Sequence, residues 1–406
     1  MRPLEGRRFW FVGIGGAGMS ALALVAHAWG AEVGGSDRER SSYVERLEEA
    51  GVPVTIGHEA GNVPEDAEVI VSSAIGPDNP EVTRAGGAGA RMRGELLGEL
   101  VALTPSIVVA GAHGKTTTSA MIAFVLDRLG LDPAFLIGGE IPQLGGNARA
   151  GEGWLVAEGD ESDRSLESLR PQIAVVTNVD LDHHATFASV AEVRELFERW
   201  LGEAPAAVRG EELEPAALQL GVPGEHNRRN AASALAVLEL AGIPRKEGER
   251  VLPEFTGAGR RFERRGDAGG VTVYDDYGHH PREIAATLAA ARSTVGSGRV
   301  LVVFQPHLYS RTRHLAHELA GALAAADAVA VTSVYAAREE PMEGVEGTLV
   351  VEALVAERPG MPVAWAPELE DAVRFLSRRA RPGDLVLTIG AGDVERAGPL
   401  LLEELA

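Results

Sequence analysis

The segment Ser106 to Thr117 restricts the fold of this chain more than any other. Ser106-Ile-Val-Val-Ala110 is a short run dominated by β-branched residues, which reads as a strand buried on both faces. It runs into Gly111-Ala112-His113-Gly114-Lys115-Thr116-Thr117 and then a helical pattern from Thr116 to Leu129. Strand, glycine turn, lysine, hydroxyl and helix form a phosphate loop. Backbone amides cradle phosphates, the ammonium reaches the β- and γ-phosphates, and the first hydroxyl can ligate Mg²⁺. The full phosphate-loop spacing would place glycine at 109, where Val109 stands; the parts that carry charge remain. Lys115 and Lys246 are the only lysines, and arginine supplies every other strong cation. A lysine kept at this one loop points to a site that needs a compact ammonium.

A second glycine loop lies near the start. Gly13-Ile14-Gly15-Gly16-Ala17-Gly18 follows the strand-like run Arg8 to Gly13 and opens an apolar helix over Met19 to Trp29. This is G-x-G-x-x-G in the context the motif requires, with the loop amides meeting a diphosphate. Asp37 follows the next strand, Ala31 to Ser36, where such folds place an acid on a ribose hydroxyl. Taken alone, the loop would suit NAD as well as any other nucleotide diphosphate.

Strand and helix patterns alternate along the chain in three blocks. Further strands are expected at Val69 to Ser73, Trp154 to Ala157, Ile173 to Thr177, Val271 to Tyr274, Val300 to Phe304, Ala328 to Val331 and Leu385 to Ile389, and further helices at Asn230 to Ala241 and Pro281 to Arg292. Thr104-Pro105 and the stretch Pro253 to Gly259 read as boundaries. The expected architecture is α/β with three domains, 1–104, 105–254 and 255–406. The first and last are Rossmann-like, and the central one is a mononucleotide-binding sheet of the P-loop ATPase kind.

The chain has 406 residues, no cysteine and a net charge of -21. Disulfides and thiolate sites are excluded, and nucleic acid is not an expected partner without a basic stripe. No signal-peptide core and no apolar run long enough to span a bilayer is read, so no membrane is expected and the location is expected to be cytoplasmic. Oxygen ligands cluster at two strand ends: Glu158-Gly-Asp-Glu-Ser-Asp163, and Asp180-Leu-Asp-His183-His184. Such clusters suit a hard cation, and strand ends are where α/β sheets gather their ligands. Of the 11 histidines, His27, His314 and His317 sit on helical patterns and read as packing or surface; the other eight fall in glycine- or acid-rich segments that read as loops.

These segments, in this order, resemble the Mur ligases. Further motifs carry the resemblance: His226-Asn-Arg-Arg-Asn230, Gly257-Ala-Gly-Arg-Arg-Phe262, Asp275-Asp-Tyr-Gly-His-His-Pro281 and Gln305-Pro-His-Leu-Tyr-Ser-Arg-Thr312. The resemblance runs nearly end to end. It implies ATP-dependent joining of L-alanine to UDP-N-acetylmuramate through an acyl phosphate, with Mg²⁺ or Mn²⁺, by a monomer or weak homodimer. The first loop (Gly15, Gly16, Ala17, Gly18, Met19, Ser20), Asp37 and Ser72 would then hold the UDP substrate. Gly111, Ala112, His113, Gly114, Lys115, Thr116 and Thr117 would hold the ATP phosphates, with His226, Asn230, Arg261 and Asp276 completing that site. Thr116, Glu158 and His183 would contact metal. His307 and Arg311 would hold the alanine carboxylate, and His279 or His280 would assist proton removal from its amine. Three departures stand out. Ala112 replaces a usual threonine, Leu308 stands where many relatives carry arginine, and no lysine lies between Lys115 and Lys246 to serve as the carbamylated lysine of several sister ligases. The short stretch between His184 and His226 suggests a trimmed central domain.

Overall fold

The computed structural model of the protein describes residues 3–86, 89–162, 164–181, 186–337 and 339–406. It contains three α/β sheets. In the first, β1 (Arg8–Val12), β2 (Glu32–Asp37), β3 (Val54–Ile56), β4 (Glu68–Val71) and β5 (Arg91–Met92) run parallel in the order β3-β2-β1-β4-β5. The direction of winding reverses at β1, so the glycine turn that leaves its carboxyl end opens at the switch point of the sheet.

The second sheet holds β6 (Ser106–Ala110), β7 (Ala134–Leu136), β8 (Ala148–Arg149), β9 (Leu155–Glu158), β10 (Ile173–Val176) and β11 (Ala206–Arg209). Their order is β11-β10-β6-β9-β7-β8, parallel except for the β7–β8 pair. Central β6 is buried along its whole length, as its apolar sequence requires. The third sheet holds β12 (Glu263–Ala268), β13 (Val271–Asp276), β14 (Val300–Phe304), β15 (Ala328–Val331), β16 (Val363–Trp365) and β17 (Leu385–Ile389), ordered β12-β13-β17-β14-β15-β16. Only β12 is antiparallel; Gly269 and Gly270, at φ +56 and +77, turn it into β13.

The chain divides into two compact units, Met1–Leu220 with Arg228–Thr256, and Gly221–Asn227 with Gly257–Ala406. Unit 1 has a small apolar cluster around Trp10 and Val69 of the first sheet, and a larger core that spans the first two sheets. Leu96, Leu100 and Val101 of the helix Arg93–Leu103 join Leu166 and Leu169 of the second sheet's surroundings in that core. Gly94 makes the approach possible, because a Cβ there would meet Ser165. Unit 2 packs helices on both faces of the third sheet over two apolar clusters.

Two local readings change. The helix expected from Asn230 starts five residues earlier and spans Glu225–Leu240, after Gly224 at φ +101. His226 therefore lies in a first helical turn and not in a loop. His280 is likewise the N-cap of the helix Pro281–Val295, where its ring accepts from the Arg282 amide at 3.4 Å. No helix among the described residues is long and apolar enough to cross a membrane.

One buried carboxylate fixes the carboxyl edge of the first sheet. Glu81 has no exposed surface; it accepts from the Ser36 hydroxyl, from Asn62 Nδ2 at 2.8 Å and from the Trp10 indole at 3.3 Å. Removing it would strand three donors. Glu81→Ala is expected to lower the free energy of urea unfolding by about 3 kcal/mol, and Glu81→Gln, which keeps an acceptor, by roughly 1 kcal/mol.

Candidate active site

The first glycine loop is held from beneath. The Gly15 amide donates to Asp37 Oδ2 at 2.8 Å, and a Cβ at Gly15 would press on Asp37 and Val44. Asp37 thus steadies the loop that the sequence reading pairs with it. Ala17 begins the helix Ala17–Ala28, and Met19 and Ser20 are buried within it. The Ser20 hydroxyl donates to Ala17 O at 3.1 Å, so these two residues support the loop from inside the helix. Ser72 follows the carboxyl end of β4, the strand that pairs in parallel with β1.

Sequence reading missed a cation here. Arg93, the first residue of the helix Arg93–Leu103, lies against Gly18, where a Cβ would collide with its guanidinium. The same group stands 3.5 Å from Asp160 Oδ2. The guanidinium thus stands between the first glycine loop and an acid of the second sheet's surroundings.

The phosphate loop depends on two left-handed glycines. Gly111 has φ +124 and Gly114 has φ +83. A Cβ at the first would collide with Thr177, and at the second would meet Asn230 Oδ1 at 2.5 Å. Asn178 and Thr177 shape the turn between them. Asn178 Oδ1 takes the His113 amide at 2.9 Å, while Asn178 Nδ2 and Thr177 Oγ1 donate to His113 O at 2.8 and 2.6 Å. Lys115 opens the helix Lys115–Arg128. Its ammonium donates to Gly111 O at 2.6 Å and lies 3.2 Å from Glu161. Thr116 Oγ1 donates to Glu158 Oε2 at 3.2 Å, and the Gly138 amide donates to Glu158 Oε1 at 2.6 Å. Thr117 is buried in the same turn.

Electrostatics follow from this packing. Burial works against the charged Lys115 ammonium, but the Glu161, Asp160 and Glu158 carboxylates outweigh it and hold the pKa above the usual lysine value. Burial pushes Asp160 the other way, and Lys115, the Ser162 contacts and Arg93 keep it below the ordinary carboxylate range. The cluster is a nest of hard oxygen donors around one ammonium, with carboxylates in excess over the cation. Asp163, Asp182, His183 and His184 lie outside the described residues.

The remaining expected residues group in unit 2, except Asn230, which borders Gly114 in unit 1. Burial, and then the Arg261 charge, hold the His226 pKa below its ordinary value. Arg261 lies 5.1 Å from the centre of the Tyr277 ring and 3.7 Å from Glu283. His279 Nδ1 contacts Tyr277 O at 3.2 Å, and its amide donates to Glu283 at 3.0 Å. Arg311, buried, meets His307 Nδ1 at 2.8 Å; the His307 ring lies 5.6 Å from His279 and 6.0 Å from Tyr335. Leu308 adopts φ +66 at the start of the helix Tyr309–Leu323, a costly backbone for a branched side chain. Tyr335 was not singled out by sequence, because only the fold brings it to His307; Glu283 lies four residues after His279 and meets its amide within one segment.

Asp276 is the organiser of this group. Its carboxylate accepts from the Phe262 amide at 2.8 Å, the Gly278 amide at 2.9 Å and Thr287 Oγ1 at 3.0 Å, so it ties the residue after Arg261 to the loop before His279. Burial pushes its pKa up to about 6, against the pull of Arg261 and the two amides. A raised carboxyl pKa favours the folded state at low pH, and that contribution is lost as pH rises through the folded value. The stability of wild type relative to Asp276→Asn is therefore expected to fall between pH 4 and 6, by on the order of 3 kcal/mol, and to stay flat above it. Denaturant titrations of both proteins across that range measure it.

Family models match along the chain: "Mur ligase family, catalytic domain" over residues 8–104, "Mur ligase middle domain" over 109–208 and "Mur ligase, glutamate ligase domain" over 260–392. A UDP-N-acetylmuramate–L-alanine ligase of Streptomyces griseus is 41% identical, with 100% of this chain and 98% of that protein covered. The ligase of the same name from Rubrobacter xylanophilus is 41% identical over 97% of this chain and 99% of its own. The Streptomyces match runs over 460 positions, more than the 406 residues present here, so that relative carries insertions this chain lacks. Among solved structures, UDP-N-acetylmuramate-alanine ligase MurC of Thermotoga maritima superposes with a TM-score of 0.82 at 28% identity, covering 98% of each chain.

Proposed function

This chain belongs to the Mur ligase family, and from that premise we propose that it joins L-alanine to the lactyl carboxylate of UDP-N-acetylmuramate. ATP is converted to ADP and phosphate, and the product, UDP-N-acetylmuramoyl-L-alanine, is a peptidoglycan precursor. The observation that carries this reading is the Lys115 nest: a phosphate loop with its ammonium seated among Glu158, Asp160 and Glu161. Full-length similarity to ligases of this name supplies the substrates.

The roles follow from the chemistry. The Gly13 to Gly18 turn, the helix start at Ala17 and Arg93 receive the UDP diphosphate, with Asp37 and Ser72 at its nucleoside side. The loop from Gly111 to Thr117 receives the ATP phosphates, and Asn230, His226, Arg261 and Asp276 complete the nucleotide's surroundings. Glu158 and Thr116 are hard oxygen donors and fit Mg²⁺ or Mn²⁺, with His183 as a further ligand by resemblance. When bound, such a cation neutralises and orients phosphate oxygens.

Lys115 stabilises charge on the phosphoryl group as the bond to ADP breaks and a carboxylate oxygen bonds phosphorus. The L-alanine amine then attacks the acyl carbon, and the tetrahedral intermediate expels phosphate. Arg311 and His307 hold the alanine carboxylate; with Leu308 in place of an arginine, Arg311 is the main clamp. The amine must lose a proton, and that role is assigned to His279, because the His280 ring caps a helix. The enzyme is proposed to work in the cytoplasm as a monomer or weak dimer.

Phosphate release from ATP is expected to require both UDP-N-acetylmuramate and L-alanine; release that ignores both would overturn the reading. Lys115→Met is expected to abolish turnover while leaving UDP-N-acetylmuramate binding within about threefold, since the lost contacts lie at the ATP phosphates. Arg93→Ala is expected to raise the KM for UDP-N-acetylmuramate by about 10- to 100-fold, the worth of one charge-assisted contact, with the KM for ATP little changed. Steady-state kinetics against each substrate separates the two.

A further inference from the structure

Residues 137–148 form a loop and hairpin arm between β7 and β8, and none of the roles above uses them. Asn147, fully buried, stands at its end. Asn147 Nδ2 donates to Ala17 O at 3.0 Å, in the turn that opens the first-sheet helix. Asn147 Oδ1 accepts from Arg46 Nη1 at 3.1 Å, and Arg46 Nη2 donates to Ala148 O at 3.1 Å. Gly146, at φ +144, gives the guanidinium its room, because a Cβ there would collide with it. Arg46 lies on the helix Ser42–Glu49 of the first sheet. One side of the arm is thus fastened to the first sheet at two points.

The other side reaches the phosphate site. The Ile137 amide donates to Asn147 O at 2.9 Å, and the next amide, Gly138 N, donates to Glu158 Oε1 at 2.6 Å. Glu158 Oε2 in turn accepts from Thr116 at 3.2 Å. A third contact ties the arm to the chain that leaves unit 1: Gln143 Nε2 donates to Glu254 O at 2.9 Å, and the Thr256 amide donates to Gln143 Oε1 at 2.7 Å. Hydrogen bonds, joined by short covalent steps within Asn147 and from Ile137 to Gly138, therefore connect the first turn of the substrate helix to Glu158 and Thr116.

We infer that Asn147 is a positioning residue: through the 137–148 arm it registers the UDP-substrate loop against Glu158 and Thr116, so that filling one site improves the other. The inference rests on the proposed ligase reading for the identity of the two ligands. A shift of the helix start on diphosphate binding moves Ala17 O, which Asn147 follows. Ile137 and Gly138 carry that shift to the carboxylate. Coupling between two sites by such a contiguous packed path is commonly 5- to 150-fold in affinity.

Asn147→Asp tests it. The variant keeps the shape and the acceptor toward Arg46 but replaces the donor to Ala17 O with a second oxygen. Calorimetry should measure UDP-N-acetylmuramate and a non-hydrolysable ATP analogue, each alone and each with the other present. In the wild type, the first ligand is expected to tighten the second by about tenfold. In the variant each ligand alone should bind within about threefold of wild type, the mutual tightening should fall to within about twofold of none, and kcat should drop by about tenfold or more. Arg46→Gln, which loosens the same residue from its other side, should lose part of the coupling and keeps the test alive if the first variant does not fold. Coupling that is equal in the wild type and the variants overturns the inference, even if the variants melt earlier, and so does a wild type without coupling. A wild type that does not bind UDP-N-acetylmuramate at all counts instead against the ligase reading.

Discussion

The arrangement in unit 1 depends on how one ammonium is kept charged and in place. Lys115 has lost most of its water, which by itself disfavours the cation. Three carboxylates restore it, and Glu161 and the Gly111 carbonyl fix its position. Asp160 in turn needs the ammonium, because burial would otherwise push it toward protonation. A cation and anions held this way are preorganised to meet phosphates and a divalent ion without further reorganisation. The glycines at 111 and 114 exist for the same purpose, since any side chain there would displace Thr177 or Asn230 from the loop they brace.

Around that centre, unit 1 joins two sheets tightly. Apolar residues of both share a core, and polar bridges cross between them at Arg93, Arg46 and Asn147. Such bridges align two glycine loops that lie far apart in sequence. Unit 2 uses a comparable device on a smaller scale. Asp276 collects two amides and a hydroxyl, and by doing so sets Arg261 and His279 on neighbouring segments.

The parts legible from sequence were those with strong local physics. Buried central strands show as continuous β-branched runs, and β6, β14, β15 and β17 fall where the sequence places them. Glycine loops announce themselves through backbone need. The short edge strands β3, β5, β8 and β16, of two or three residues each, carry too little pattern to be seen, and β12 is polar because it is an exposed antiparallel edge. The helix start at Glu225 was misplaced because its first turn is polar and lacks the apolar period that marks the rest. Arg93, Asn147 and Tyr335 gain meaning only from neighbours remote in the chain, and no local pattern marks an arginine or an asparagine for such work. Ala17 and Asp37 were visible as a motif, yet the bond from the Gly15 amide to Asp37 belongs to the fold.

In the proposed reaction the Lys115 loop delivers a phosphoryl group to a carboxylate. UDP-N-acetylmuramate labelled with ¹⁸O in both lactyl carboxylate oxygens tests it directly. Transfer through an acyl phosphate moves one carboxylate oxygen into the released phosphate, so mass analysis should find one ¹⁸O in each phosphate formed alongside the L-alanine product. Phosphate without ¹⁸O, whether it is released alongside the amide product or while no product forms, would contradict the account.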